Sequence, residues 1–341
     1  DYEIIISQGE NEVFGFKMVE IGTATYLGLD PLKVTHFFKA DLDGTNPTQI
    51  ETILKFNPKN EYYDSRDGLQ YFLSQHDVVK GLTKTVDIAY SLNPETKEVK
   101  RLTTSNFQNF DVVSVNFRAK RLINNYQSGP SNQKQRFLQI LDLSGDNPKT
   151  LRTVTGDNNF DNIVVSGDGR YVYFREGDLS SKPTDNPIVY RADSQSDNIV
   201  KVVQRKSVQV HAVSEDGNLV VYSAQNESTG LRDLFLFNAS TSETRTIKEN
   251  HDGSQYQFLN QNNDQIIFFA KRDSKNDIYD YSISQNSTTR ITNLAGDDVL
   301  NSLYQQEKYT FYITKRGLFV IDILKPHSFK LVTDKITKYT N

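Results

Sequence analysis

Two carboxylates hold the same place in a phrase that the chain writes twice. Asn109-Phe110-Asp111-Val112-Val113 returns about fifty residues later as Asn159-Phe160-Asp161-Asn162-Ile163. A third carboxylate, Asp298, stands comparably after Arg290-Ile291-Thr292. Gln209 and Gln255 fall near the equivalent point of two further repeats, and His211 lies close to the first of them. Carboxylates gathered from separate repeats repel one another unless a cation, a basic side chain or backbone donors offset the charge. The chemistry on offer is therefore binding of a cation or a basic peptide segment. The competing reading is local: each Asp caps a turn or accepts from a neighbouring backbone N–H.

Other chemistries find less support. Asp41-Leu42-Asp43-Gly44 opens like a calcium loop, but the twelfth position is Thr52, where an acidic residue belongs. It reads as a strand-connecting turn. The histidines are His36, His76, His211, His251 and His327, and no pair has zinc spacing. Cysteine is absent, which excludes disulfides, thiol catalysis and thiolate-bound metal. Gly-x-Ser-x-Gly and the phosphate-loop and dinucleotide patterns are absent too. No catalytic residue, metal ligand or cofactor is assigned, and a cation held by the converging carboxylates is the one ion left open. Paired carboxylates from different repeats would also suit glycoside cleavage, though no pair stands out.

These residues sit among short alternating strands rather than helices. Runs of four to seven residues rich in Val, Ile, Tyr and Phe recur between turns. One unit opens with Ser166-Gly167-Asp168-Gly169, continues through Tyr171-Val172-Tyr173-Phe174 and Ile188-Val189-Tyr190, and ends at Ile199-Val200-Lys201-Val202. The next opens with Ser214-Glu215-Asp216-Gly217 and runs through Leu219–Tyr222, Leu234–Phe237 and Arg245-Thr246-Ile247. Asp-Gly supplies the positive-φ position of a tight hairpin at Gly169 and Gly217. The repeat length predicts an all-β chain: one closed β-propeller spanning 1–341, with about seven four-stranded blades, six or eight being the alternatives. Tyr2–Ile6 or Lys335–Tyr339 is expected to close the ring by joining the blade at the other terminus.

In that architecture Asp111, Asp161, Asp298, Gln209 and His211 ring one mouth of the central channel. The long loops after the second strands open on the same face. They carry basic residues, among them Lys182, Arg232 and Arg272, and form a second candidate binding surface. Across 341 residues, 39 Lys and Arg stand against 43 Asp and Glu, with no basic run, so no nucleic-acid partner is expected. No apolar stretch is long enough to span a bilayer.

Several pieces resemble the TolB-type propeller repeat. Ser166–Arg170 and Ser214–Asn218 match its turn. Asp87-Ile88-Ala89-Tyr90 and Asp277-Ile278-Tyr279 match its third strand. Ala40–Asn46 matches its Asp-Gly turn, and Arg101-Leu102-Thr103 and Arg290-Ile291-Thr292 match its blade end. The turn proline of that repeat is missing from both good copies, and the globular N-terminal domain of TolB has no counterpart. The resemblance implies an extracytoplasmic protein, periplasmic or secreted, that docks a protein partner without catalysis. The start at Asp1, with no signal-like segment, fits a mature product. Two alternatives stand beside this expectation: a carbohydrate-active propeller lyase or hydrolase, and the propeller portion of a prolyl-oligopeptidase-type hydrolase.

Overall fold

The computed structural model describes residues 4–8, 13–21, 33–40, 48–54, 58–64, 66–77, 85–93, 96, 98–103, 112–130, 133–178, 186–249, 254–258, 264–272, 275–291, 299–306, 309–314, 317–322 and 329–333. Among these residues the regular structure is entirely β, in seven four-stranded antiparallel sheets.

The first sheet is β1 (Ile4–Gln8), β2 (Val13–Ile21), β3 (Lys33–Ala40) and β4 (Thr48–Leu54). The second is β5 (Pro58–Asp64), β6 (Leu69–Asp77), β7 (Thr85–Leu92) and β8 (Val99–Arg101). The third is β9 (Val112–Asn116), β10 (Arg121–Ser128), β11 (Gln135–Asp142) and β12 (Lys149–Thr155). The fourth is β13 (Asn158–Val165), β14 (Tyr171–Asp178), β15 (Ile188–Asp193) and β16 (Ile199–Gln204). The fifth is β17 (Gln209–Val213), β18 (Leu219–Gln225), β19 (Arg232–Asn238) and β20 (Glu243–Lys248). The sixth is β21 (Ser254–Phe258), β22 (Gln265–Arg272), β23 (Lys275–Ser282) and β24 (Ser287–Arg290). The seventh is β25 (Val299–Gln306), β26 (Tyr309–Thr314), β27 (Gly317–Asp322) and β28 (Phe329–Thr333).

Every sheet uses four consecutive strands in chain order. For Tyr2–Ile6 this corrects the expectation of a strand lent to the blade at the other terminus. Ile4–Gln8 pairs with Val13–Ile21 in its own N-terminal sheet. The physical reason is proximity: a short turn brings β1 back on β2 at far smaller loop-closure cost than a partner three hundred residues away. Lys335–Tyr339 lies outside the described residues, as does the turn at Asp41–Gly44.

The sheets form two compact units, one of residues 1–104 and 295–341 and the other of residues 105–294. In the second unit the first strands of successive sheets, β9, β13, β17 and β21, lie side by side. In the first unit β1 lies beside both β5 and β25.

Alternation explains the packing within the second unit. Successive side chains of a strand point to opposite faces, so a strand buried on both faces reads as a continuous apolar run. Tyr171-Val172-Tyr173-Phe174 is such a run. Val172 and Phe174 pack with Ile123, Leu138 and Ile140 of the third sheet. Tyr173 points the other way, to Val210, Val220 and Tyr222 of the fifth. Val221, Leu234 and Leu236 then meet Tyr256, Ile266 and Phe268 of the sixth. Burying each aromatic here contributes about 2–3 kcal/mol.

The Ser-x-Asp-Gly turns are built alike. The Ser166 hydroxyl donates to Asp168 Oδ1 at 2.5 Å and accepts from Tyr171 N–H at 2.9 Å. Asp168 Oδ1 also accepts from Arg170 N–H at 2.9 Å. Ser214, Asp216, Asn218 and Leu219 repeat this pattern at 2.7, 3.1 and 2.9 Å. Gly169 and Gly217 have φ of +75° and +68°, as the hairpin reading requires. Space also excludes a side chain at Gly217, because a Cβ there would lie 2.4 Å from Tyr171 Cδ2 of the preceding sheet. Gly156 has a similar φ, +71°, but nothing within 4 Å of a Cβ.

That contrast separates backbone strain from crowding. Gly156→Ala should cost about 1 kcal/mol, for the positive φ alone. Gly217→Ala should cost about 2 kcal/mol or more, because Tyr171 must also move. Equal losses in urea denaturation midpoints would show that contact with the neighbouring sheet does not matter.

Candidate functional site

Four of the residues singled out by sequence gather around the leading ends of β13 and β17. Asp161 lies within β13, not ahead of it, directly across from Arg175 of β14. Arg175 grips both carboxylate oxygens, Nε meeting Oδ1 at 2.5 Å and Nη2 meeting Oδ2. Its remaining terminal nitrogen, Nη1, donates to the Val208 carbonyl at 3.0 Å. A bidentate pair of this kind is both strong and directional. Asp161 is therefore a neutralised carboxylate that ties the fourth sheet to the fifth through its arginine.

Just after Asp161 the register of β13 slips, and Asn162 takes φ +48°. The bulge re-aims the Asn162 side chain across to β17. There Nδ2 donates to the Val210 carbonyl at 2.8 Å, and Oδ1 accepts the Val210 N–H. The pairing of first with second strand slips in each of the seven sheets. In β17 the unpaired residue at the slip is His211. Its Nε2 lies 2.8 Å from Ser223 Oγ, and its ring sits 4.2 Å from the ring of Tyr256 on β21.

Gln209 and Arg232, assigned by sequence to the two separate surfaces, touch each other. Arg232 opens β19, and its Nη1 donates to Gln209 Oε1 at 3.0 Å while Nη2 donates to the Ser207 carbonyl. Burial, and then the neighbouring Arg175 charge, pull the Arg232 guanidinium down from its ordinary value, while Tyr256 acts the other way. Asp111, Lys182 and Asp298 lie outside the described residues; for Arg272 the backbone alone, at the end of β22, is described. Sequence reading missed Arg175. The signal was available once the register was known, as a basic residue directly across the hairpin from Asp161.

The motif acids serve the framework. Asp277 of the Asp-Ile-Tyr phrase is 3% exposed and meets Arg290 Nη2 of the Arg-Ile-Thr phrase at 2.5 Å. In the second sheet Thr103 Oγ1 accepts from Ala89 N–H at 2.9 Å. Arg170 holds Asp193 by Nε at 3.2 Å and Nη2 at 2.9 Å, and chiefly this contact pulls the Asp193 carboxyl down to about 2. Asp280 is the exception. Its Oδ1 is buried without a hydrogen-bond partner. Burial, then the nearby Asp264 charge, push its carboxyl up to about 6 against one hydrogen bond from Gln265. Among the described residues no three potential metal ligands gather in one place.

No protein-family model matches the sequence, and no curated protein is similar to it. Solved structures do match. The β-propeller domain of the Trilobed protease from Pyrococcus furiosus superposes with a TM-score of 0.64 at 11% identity, covering 99% of this chain and 98% of that one. The fold is a β-propeller. The seven sheets are its blades. The same likeness extends to the acylaminoacyl peptidase of Pyrococcus horikoshii, with TM-score 0.63, 11% identity, and 98% of this chain on 53% of the other. It extends also to prolyl oligopeptidase B of Galerina marginata, with TM-score 0.65, 12% identity, and 94% on 49%. The chain thus spans about half the length of these two peptidases.

The two perturbed carboxyls give opposite pH responses. Asp193 is depressed from 3.8 to about 2, so its contribution is present above pH 4 and is lost as pH falls towards 2. Asp280 is raised from 3.8 to about 6, so its contribution is full below pH 4 and is lost as pH rises through 6. Asp193→Asn should destabilise by about 1 kcal/mol at pH 7, after discounting for solvent screening. Asp280→Asn should stabilise by about 1 kcal/mol at pH 8, after discounting for solvent screening, with the gain gone at pH 4. Urea titrations at the three pH values measure both; a gain from Asp280→Asn that did not change with pH would refute the assignment.

Proposed function

We propose that the chain is a non-catalytic binding ring, the propeller portion of a prolyl-oligopeptidase-type serine hydrolase. One observation carries this reading. The chain aligns over nearly its whole length with propellers of peptidases, and with about half of two complete ones. The absence of a Gly-x-Ser-x-Gly elbow from the sequence agrees with catalysis lying elsewhere in the polypeptide. In such an arrangement the ring supplies selection and positioning, and the adjoining domain supplies the nucleophile.

The sequence resemblance to TolB-type repeats supports a second reading, an exported ring that docks a protein partner and stands alone. The arginine contacts around Gln209 favour a binding role under either reading, since Arg232 is partly exposed and meets only neutral acceptors.

The two readings differ in molecular size and in reactivity. An antibody raised against this 39.0 kDa chain should detect, in source cells, a polypeptide about twice that mass that reacts with a fluorophosphonate probe. A species of 39 kDa that leaves the probe unreacted would overturn the hydrolase reading and favour the stand-alone ring.

A further inference from the structure

We infer that Arg232, with Arg175 behind it, forms a receptor for the side-chain carboxylate of an acidic peptide. The inference does not depend on whether a hydrolase domain adjoins the ring.

Charge bookkeeping at the cluster is the first support. Arg175 and Arg232 bring two positive charges, and Asp161 brings one negative. Both Asp161 oxygens are committed to Arg175. Arg232 is held by neutral acceptors only, the Gln209 amide oxygen and the Ser207 carbonyl. Among the described residues no carboxylate pairs with it. A half-buried guanidinium beside a second guanidinium is destabilised as it stands, and a ligand anion would relieve that.

Posture is the second support. A guanidinium has five N–H donors in a planar fork. The bonds to Gln209 and Ser207 fix the plane and leave the other donors to a ligand. The side chain is thus ordered before binding, which removes a cost that a free surface arginine would meet on each encounter. The cluster's surplus of one positive charge suits a monoanion. A phosphate dianion would face the Asp161 carboxylate with one charge unmatched, while a single carboxylate fits one fork.

The surroundings suit a peptide. Leu231, the preceding residue, is the most exposed large apolar side chain among the described residues, at 55%. His211 and Tyr256, in tilted ring contact and hydrogen-bond capable, stand on β17 and β21.

Isothermal titration with end-blocked hexaglutamate, end-blocked hexaglutamine and inorganic phosphate tests this on the purified protein. Hexaglutamate should bind and hexaglutamine should not, and added salt should weaken the complex. Arg232→Gln should weaken hexaglutamate by about tenfold or more, while Lys201→Gln, an exposed charge on β16, should not. Arg232→Lys keeps the charge and loses the fork, so it should fall between wild type and Arg232→Gln; it decides the matter if Arg232→Gln unfolds. Unchanged affinity in Arg232→Lys and Arg232→Gln would overturn the inference. So would equal binding of the two peptides, or no binding of hexaglutamate. Displacement of hexaglutamate by phosphate at the same concentration would also overturn it, by showing a site for any small anion.

Discussion

The packing of sheet on sheet in the residue 105–294 unit depends on what the first hairpin turns of the fourth and fifth blades leave out. Serine and aspartate of the turn satisfy each other and the returning strand, so the turn carries its own hydrogen bonds into a buried place. Glycine then leaves room for the neighbour. Tyr171 occupies the space a Gly217 side chain would take, and the Tyr173 hydroxyl donates to the Gly217 carbonyl at 2.8 Å. Tyr171 in turn lies under Arg191, 3.6 Å from the ring centre, and Arg191 reaches Asn218 Oδ1 at 3.2 Å. One small residue therefore admits an aromatic, a cation–π contact and two inter-sheet hydrogen bonds. Gly167 plays a related part beside Glu215, whose carboxylate meets Arg118 at 2.7 Å, so turns of the third, fourth and fifth sheets interlock.

Charge follows a simple division. Acids named by the repeat are spent on arginines inside the framework, as Asp277 is on Arg290 and Asp193 on Arg170. Such pairs, once buried, are costly to break from either side. Asp161 belongs with them, because its arginine is directly across the hairpin. Arg232 does not: its two acceptors are neutral.

Much of this was legible in the residues. Ser-x-Asp-Gly announced the turns, continuous runs such as Tyr171–Phe174 announced strands buried on both faces, and the spacing gave seven blades. Partners across the ladder were not legible, because they depend on register. Asp161 meets Arg175 only through a pairing that then slips at Asn162, and a slip leaves no mark in composition or alternation. Gln209 and Arg232 sit on different strands with β18 between them in sequence, so nothing local joins them. The N-terminal strand was misplaced for a different reason. Ring closure by a borrowed strand is a habit of propellers, and an alternating segment at a chain end cannot say which sheet it will join.

Sequential strand use ties assembly to the direction of synthesis. Among the described strands each sheet has its ladder partners once its own fourth strand has emerged. What must wait is the neighbour: Val172 and Phe174 find their apolar surface in a sheet already made, and Tyr173 finds its surface in one not yet made. Within residues 105–294 the growing end therefore presents an unsatisfied face, and the next blade to form is the one that covers it.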